Sequence, residues 1–180
     1  GRWLAGLLAL LVWTAGPPAG RAGMAVSWGQ LLLPYIPPGT RLVAVAAGTS
    51  HSLALRSDGT VVGWGSDWSG RRTPPAGLSN VVAIAAGGSH SLALRGDGTV
   101  IGWGGNDFGQ KTPPAGLSNV VAIAAGANHS LALLADGTVV GWGSNSSGQG
   151  TPPAGLSNVV AIAAGTSHSL ALRSDGTVIG

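Results

Sequence analysis

Short runs of apolar and small residues, separated by turn signals, recur along most of the chain. In the best-defined copy these runs span 81–86, 90–94 and 99–103, and each has the length and β-branched content of a strand. The Asp97-Gly98 pair between the second and third runs is a strong hairpin signal, because glycine readily adopts positive φ. The pattern therefore predicts units of three antiparallel strands.

The second run of each unit is apolar or small on both of its faces. His90, Leu92 and Leu94 point to one face, whereas Ser91 and Ala93 point to the other. A sheet that is covered on both faces in every copy must be stacked between neighbouring copies, as propeller blades are. The alternation therefore predicts blades packed face to face.

The unit repeats every 39 residues. This step separates the four histidines of the chain, His51, His90, His129 and His168. A fifteen-residue stretch, from Thr-Pro-Pro to Ala-Ala-Gly, is identical at 73–87, 112–126 and 151–165. A period near 40 in strand-rich units indicates a propeller or a solenoid. The proline pair in each stretch is expected to end the sheet and carry the chain to the next unit.

Each unit contains Ala-Ala-Gly-x-x-His-Ser-Leu-Ala-Leu and Asp-Gly-Thr-Val, and complete units add Gly-Trp-Gly and then, at 109–110 and 148–149, Gly-Gln. Over residues 42–180 this combination resembles the repeat of the regulator of chromosome condensation family. That family forms seven-bladed β-propellers, and the short unit is similar to the blades of the propeller-type β-lactamase inhibitory protein. The resemblance implies an all-β fold: a partial β-propeller of about four antiparallel blades out of seven, the last one truncated.

Two segments precede the repeats. Residues 1–25 contain Arg2, an apolar run from Leu4 to Trp13 and then prolines and small residues, in the order of a secretory signal peptide. Residues 26–41 are interpreted as a divergent lead-in or the end of a preceding blade, since Trp28 lies between Ser and Gly. We therefore expect a secreted or cell-surface protein whose mature repeat region, 42–180, does not insert into a membrane.

Charge and cysteine content exclude several classes of function. Only 8% of the residues are charged, with 9 Lys and Arg against 6 acidic residues, and there is no cysteine. Binding to nucleic acid requires clustered cations that neutralise phosphates, and the repeat region lacks such a cluster. The absence of cysteine excludes disulfides and thiolate chemistry. No nucleic-acid partner is expected.

The repeated His, Asp and Ser residues are interpreted as structural. Zinc needs converging ligands, calcium needs several acidic ligands, and a hydrolase needs one set of residues in register with an oxyanion hole. Four identical sets held on separate blades meet none of these requirements. We therefore expect no enzyme activity, no metal and no cofactor. Each histidine is predicted to be a buried, neutral imidazole bonded to backbone between blades, and Trp64, Trp103 and Trp142 are predicted to be buried.

The positions that differ between copies are the pair before each histidine and the loop after each Gly-Trp-Gly. Loops on a rigid scaffold commonly carry recognition. Trp68 and Phe108 are the aromatic side chains best placed to anchor a partner. The candidate partner-binding residues are Trp68, Arg71, Arg72, Asp107, Phe108, Lys111, Asn128 and Asn145.

These observations favour a non-catalytic secreted or surface propeller module that binds a protein or a glycan through variable loop tips. One alternative is a structural scaffold or passenger region of a larger cell-surface protein, which fits the near-identical duplications equally well. A second alternative is a protein binder similar to the β-lactamase inhibitor, which requires a concave face rich in aromatic residues. Additional repeats in a longer chain would fit the first interpretation, and additional domains or an anchor would fit the scaffold.

Overall fold

A computed structural model describes Pro34 and residues 36–180. It contains twelve strands in four blades. The first blade comprises β1 (Leu42–Ala47), β2 (His51–Arg56) and β3 (Val61–Gly65); the second comprises β4 (Val81–Ala86), β5 (His90–Arg95) and β6 (Val100–Gly104); the third comprises β7 (Val120–Ala125), β8 (His129–Leu134) and β9 (Val139–Gly143); the fourth comprises β10 (Val159–Ala164), β11 (Ser169–Arg173) and β12 (Val178–Ile179). One turn of 3-10 helix lies at Trp68–Gly70.

The predicted strands and hairpins are confirmed, with strand ends within one residue of those expected. Each blade is an antiparallel sheet in sequence order. In the hairpin of the second blade, Asp97 Oδ1 accepts hydrogen bonds from the backbone N–H of Thr99, at 3.0 Å, and from its hydroxyl, at 2.6 Å. Gly98 has a φ of 79°, which a residue with a side chain rarely adopts. The repeated aspartates therefore shape turns.

The blades are separate sheets that stack face to face. No strand pairs with a strand of another blade within the described residues, which excludes a parallel solenoid. Leu53 and Leu55 of the first blade pack against Ala93 and Trp103 of the second. The second and third blades repeat this contact, with Leu92 among its buried residues. Each apolar core of the protein therefore lies between two blades.

Glycine permits the close approach of the blades at one end of the sheets. A Cβ added to Gly87 would lie 2.5 Å from the carbonyl oxygen of Gly126 on the next blade. The neighbouring Gly88 N–H donates to that same carbonyl at 3.1 Å. At the opposite end of β4, the register shifts between Val81 and Ala83, so Val82 forms a bulge that leaves its side chain exposed.

The prediction for the three tryptophans is confirmed for two and wrong for one. Trp103 and Trp142 are buried, whereas Trp64 is half-buried. Each tryptophan packs toward the blade before its own, as Trp103 packs on Leu53. Within the described residues no blade precedes the first one, so the outer side of Trp64 stays open.

The outward face of the fourth blade is also open within the described residues. The prediction that each histidine is buried is wrong for His168, which is exposed because no further blade covers it within the described residues, whereas the other three histidines are fully buried. The predicted signal segment 1–25 and Trp28 lie outside the described residues. None of the described residues forms a helix that is both long and apolar enough to cross a membrane.

Candidate functional site

The histidines join neighbouring blades through serine. His51 Nε2 lies 2.8 Å from the hydroxyl of Ser91 on the next blade, and that hydroxyl donates to the carbonyl oxygen of Arg71 at 2.8 Å. His90 and Ser130 repeat the arrangement. The prediction that each histidine bonds directly to backbone was therefore wrong, because His51 and His90 bond to serine hydroxyls. The serine hydroxyl makes the contact with the backbone carbonyl.

The direction of these hydrogen bonds opposes catalysis. A serine hydroxyl has one proton, and Ser91 gives it to a carbonyl oxygen, so His51 must donate through Nε2–H. In a hydrolase the imidazole instead accepts the proton of the serine hydroxyl. Burial, with a further contribution from the charge of Arg71, lowers the pKa of His51 to about 4, and burial likewise lowers the pKa of His90 to about 4. Both imidazoles are therefore neutral at pH 7, and their hydrogen bonds to serine join neighbouring blades.

The repeated residues do not gather into a metal site. No group of three or more His, Asp, Glu or Cys side chains within 34 and 36–180 is arranged to hold an ion. Each turn aspartate accepts, through Oδ1, a hydrogen bond from the backbone N–H of the threonine two residues ahead; these aspartates are Asp58, Asp97, Asp136 and Asp175. Their oxygens are used within the hairpins.

The two variable parts of each unit meet at one end of the blades. The backbone N–H of Ser66, after β3, donates to the carbonyl of Ser50, before β2, at 2.8 Å. Equivalent bonds join Gly105 to Ser89 and Ser144 to Asn128. We call this surface the rim; it comprises 49–50, 66–72, 88–89, 105–111, 127–128, 144–150 and 166–167. The sequence shows that these positions vary, and the structure places them side by side.

Each loop of the rim is closed by an aspartate or asparagine. Asp67 Oδ1 accepts the backbone N–H of Arg72 at 2.9 Å. At the equivalent position Asn145 Oδ1 accepts the N–H of Gly150 at 2.9 Å, and its Nδ2 donates to Thr151 Oγ1 at 2.8 Å. Asn145, predicted to bind a partner, thus has both polar atoms of its side chain engaged inside the loop.

Two aromatic side chains project from the rim. Trp68 is 78% exposed and Phe108 is 55% exposed, on neighbouring loops. Asp107 is exposed beside Phe108. Arg72 is exposed as well; it lies 3.5 Å from a carboxylate oxygen of Asp67, a surface ion pair that contributes little to stability. These four predicted residues are accessible to a partner.

Arg71 differs from this group. Its Nη1 donates to the carbonyl of Gly88 at 2.8 Å and its Nη2 donates to Ser66 Oγ at 3.0 Å. The guanidinium therefore braces the first blade against the second. Lys111 and Asn128 are half-buried. Arg71 is thus a predicted residue whose charged group is used in joining two blades.

Three predicted residues come together between the third and fourth blades. Phe108, Asn128 and Asn145 line an open depression of about 420 Å³. Thr166 and Ser167, from the variable pair of the fourth blade, lie on its far side. The predicted site did not include these two residues, although they form the variable pair before His168 and could have been added on that ground.

Four segments of the chain, 42–70, 81–110, 120–149 and 159–180, match the regulator of chromosome condensation (RCC1) repeat. The chain belongs to the regulator of chromosome condensation repeat family. The RCC1 repeats coincide with the four blades, and the propeller prediction is confirmed, with the ring incomplete in this chain. No curated protein sequence matches the chain at a significant level.

Solved structures extend the comparison. The chain is similar to yeast RCC1 (Prp20) bound to Kap60, with 26% identity and a TM-score of 0.69, over 81% of this chain and 44% of that one. It is similar to the ectodomain of the Physcomitrella patens receptor kinase CR4, with 25% identity and a TM-score of 0.64, over 78% of this chain and 42% of that one. A second structure of Saccharomyces cerevisiae Prp20p, described with its binding to Gsp1p and histones, has 24% identity and a TM-score of 0.69, over 79% of this chain and 45% of that one. This chain thus spans less than half the length of these propellers.

Proposed function

We propose that this RCC1-repeat chain is a non-catalytic propeller module that binds a protein partner through its rim. One observation carries the proposal: the residues that differ between blades collect on one surface, where Trp68 and Phe108 are exposed. The repeated histidines, serines and aspartates are occupied inside and between blades. A rigid scaffold that varies only on its rim is suited to recognition.

The chemistry of the rim indicates the kind of surface it would bind. Large aromatic side chains contribute most of the binding energy when a pocket of the partner buries them. Arg72 and Lys111 occupy equivalent positions beside the two aromatic residues. Because opposite charges around an interface guide association, an apolar pocket bordered by carboxylates fits this surface best.

The comparisons support a protein as the partner. Yeast RCC1 (Prp20) binds Kap60, and its binding to Gsp1p and histones has been described. Those partners belong to Prp20, and this chain has its own loops at the rim. We also propose that the protein is secreted or displayed at the cell surface, on the strength of the signal-like segment 1–25. N-terminal sequencing of the protein recovered from the culture medium would test this second point, because a cleaved signal peptide would be missing from it.

A capture experiment with matched variants tests the binding function. Immobilised wild-type chain is incubated with an extract of the producing organism, beside a Trp68→Ala/Phe108→Ala variant and a Val82→Ala/Val121→Ala control. The control also removes exposed apolar side chains, but at the opposite end of the sheets. The partner should be retained by wild type and control and lost by the rim variant. Equal retention by all three would contradict the proposal and favour the scaffold.

A further inference from the structure

The three gaps between neighbouring blades are closed differently where they reach the rim. Arg71, Gln110 and Gln149 occupy equivalent positions, 39 residues apart. At the first gap the guanidinium of Arg71 crosses to the carbonyl of Gly88. This side chain fills the space between the first and second blades.

At the second gap a polar network takes the place of the arginine. Gln110 is fully buried, and its Nε2 donates to Ser89 Oγ at 3.0 Å. The Ser89 hydroxyl in turn lies 3.5 Å from Asn128 Oδ1 on the third blade. The amide of Gln110 is thereby linked, through Ser89, to the next blade.

The third gap stays open because its glutamine turns back into its own loop. Gln149 Nε2 donates to Ser144 Oγ at 3.2 Å. The residue equivalent to Ser144 in the second blade is Gly105, which has no hydroxyl to offer Gln110. Ser169 Oγ of the fourth blade donates to the backbone carbonyl of Gln149 at 2.7 Å. Among the described residues of the rim, no hydrogen bond between two side chains joins the third blade to the fourth, and the depression of about 420 Å³ lies there.

The lining of this depression combines apolar and polar groups and carries no charge. Phe108 lies on one side, and side-chain amides and hydroxyls of Asn128, Ser146, Thr166 and Ser167 contribute to the rest. The volume falls within the range of about 300–1,000 Å³ that is usual for small-ligand sites. No Lys, Arg, Asp or Glu is among its lining residues.

This lining discriminates between classes of ligand. An ionic ligand would lose hydration without gaining an opposite charge, which is costly. An apolar side chain of a peptide would leave the hydroxyls and the amide unpaired, which also costs free energy. A ligand with many neutral hydroxyls and one apolar face meets neither penalty.

We propose that the depression between the third and fourth blades binds a neutral carbohydrate. The apolar face of a sugar ring packs on Phe108, and its hydroxyls bond to the amide of Asn128 and the hydroxyls of Ser146 and Thr166. This site lies on the same rim as the proposed protein-binding surface, but Trp68 is not part of it. The two proposals share Phe108, so Asn128 and Ser144 carry the test of this one.

The test is an NMR titration of the full ¹⁵N-labelled chain. Four neutral trisaccharides, of glucose, mannose, galactose and N-acetylglucosamine, are each added to about 10 mM. At least one is expected to give saturable shifts at 127–128, 144–147 and 166–167, with a dissociation constant of about 1 mM or tighter. No saturable shift with any of the four sugars would overturn the proposal.

A variant taken from the chain's own repeat supplies the control. Asn128→Ser with Ser144→Gly gives the third blade the residues of the second, Ser89 and Gly105, which are compatible with the fold. The double substitution removes the amide of Asn128 from the depression and lets Gln149 turn toward residue 128, as Gln110 turns toward Ser89, so sugar affinity should fall at least about tenfold. Because Asn128 also accepts the contact from Ser89 across the second gap, a small fall in melting temperature is expected with it. Unchanged affinity would contradict the proposed site. Trp68→Ala should leave sugar binding intact, even where it abolishes capture of a protein, so the two proposals fail separately.

Discussion

His90 Nε2 lies 2.8 Å from the hydroxyl oxygen of Ser130, which is forty residues further along the chain and on the next blade. The Ser130 hydroxyl donates to the carbonyl of Gln110 at 2.8 Å, so both of its hydrogen-bonding roles are used between blades. The same pairing joins His51 to Ser91. Two chemically reactive residue types, His and Ser, are thus assigned to holding blades together, and recognition is left to the rim.

The serine of this contact should be a strong determinant of stability. Ser130→Ala leaves the imidazole N–H of His90 without its partner in a buried site, and the carbonyl of Gln110 keeps only the N–H of Trp142 as a donor. The expected loss is about 1–3 kcal/mol in the free energy of unfolding. Ser52→Ala is the matched control, since Ser52 is half-buried and should lose less than about 0.5 kcal/mol. Urea unfolding of both variants measures the difference. Equal losses of unfolding free energy would contradict the stabilising role of the His90–Ser130 hydrogen bond.

Acid should weaken the protein before its carboxylates are protonated. Burial lowers the pKa of His51 and of His90 from 6.5 to about 4, and burial also lowers the pKa of His129. The unfolded chain therefore binds protons at a higher pH than the native chain does. The stability from these histidines is complete above pH 6.5 and is lost as pH falls; for His51 and His90 the loss is complete below about pH 4 and amounts to up to about 3 kcal/mol each.

Urea midpoints measured between pH 7 and 4 test this dependence. Asp97 has its pKa lowered by the hydroxyl and N–H of Thr99, so its own effect begins only below pH 3.8. A decline between pH 6.5 and 5 therefore reports on histidine. A His90→Gln variant should show a shallower decline than wild type. A flat profile down to pH 5 would show that the imidazoles are protonated without cost.

The tryptophans should differ according to the blade that precedes them. Trp103 is 5% exposed against the first blade, whereas Trp64 is half-buried. Trp103→Ala should cost about 3–5 kcal/mol of unfolding free energy. Trp64→Ala should cost less than about 2 kcal/mol, because the side chain of Trp64 buries less apolar surface on folding than that of Trp103 does. Thermal and urea unfolding measure both, and a larger loss at Trp64 would refute this order.

The glycine before Trp103 should tolerate no side chain. A Cβ on Gly102 would collide with the carbonyl of Lys111 in the connector. Gly102→Ala is therefore expected to lower the melting temperature markedly, since the colliding group is backbone. Gly96→Ala is the control, because Ala135 occupies the same position in the third blade. A Gly102→Ala variant that melts with wild type would show that the loop containing Lys111 can move away from β6.

The sequence predicted the blades well because every unit carries its own turn and strand signals. The Asp97-Gly98 hairpin needs only neighbouring residues, and its strands end within one residue of expectation. Contacts between blades were harder to predict. Ser91 faces the preceding blade and His51 faces the following one, so the pairing appears only when two copies are stacked. Trp64 was misjudged for the same reason, since its burial depends on a neighbouring blade.

The loops that form the rim could be identified from the sequence, because variation between near-identical copies marked them; that they bind a partner stays a prediction. The roles of individual residues depended on geometry that one repeat does not contain. Arg71 crosses to Gly88 and braces two blades, although its charge suggested a contact with a partner. The open third gap follows from Ser144 replacing the glycine of the second blade, a change whose effect on Gln149 requires coordinates.

The affinity of the captured protein for a Trp68→Ala variant tests the central claim most directly. Titration calorimetry with purified partner compares wild type, Trp68→Ala and the Val82→Ala control. Trp68→Ala should weaken binding by more than about 1 kcal/mol and leave the melting temperature unchanged, since its side chain is 78% exposed. Val82→Ala should bind as wild type does. Equal affinity of all three proteins would contradict recognition through the rim.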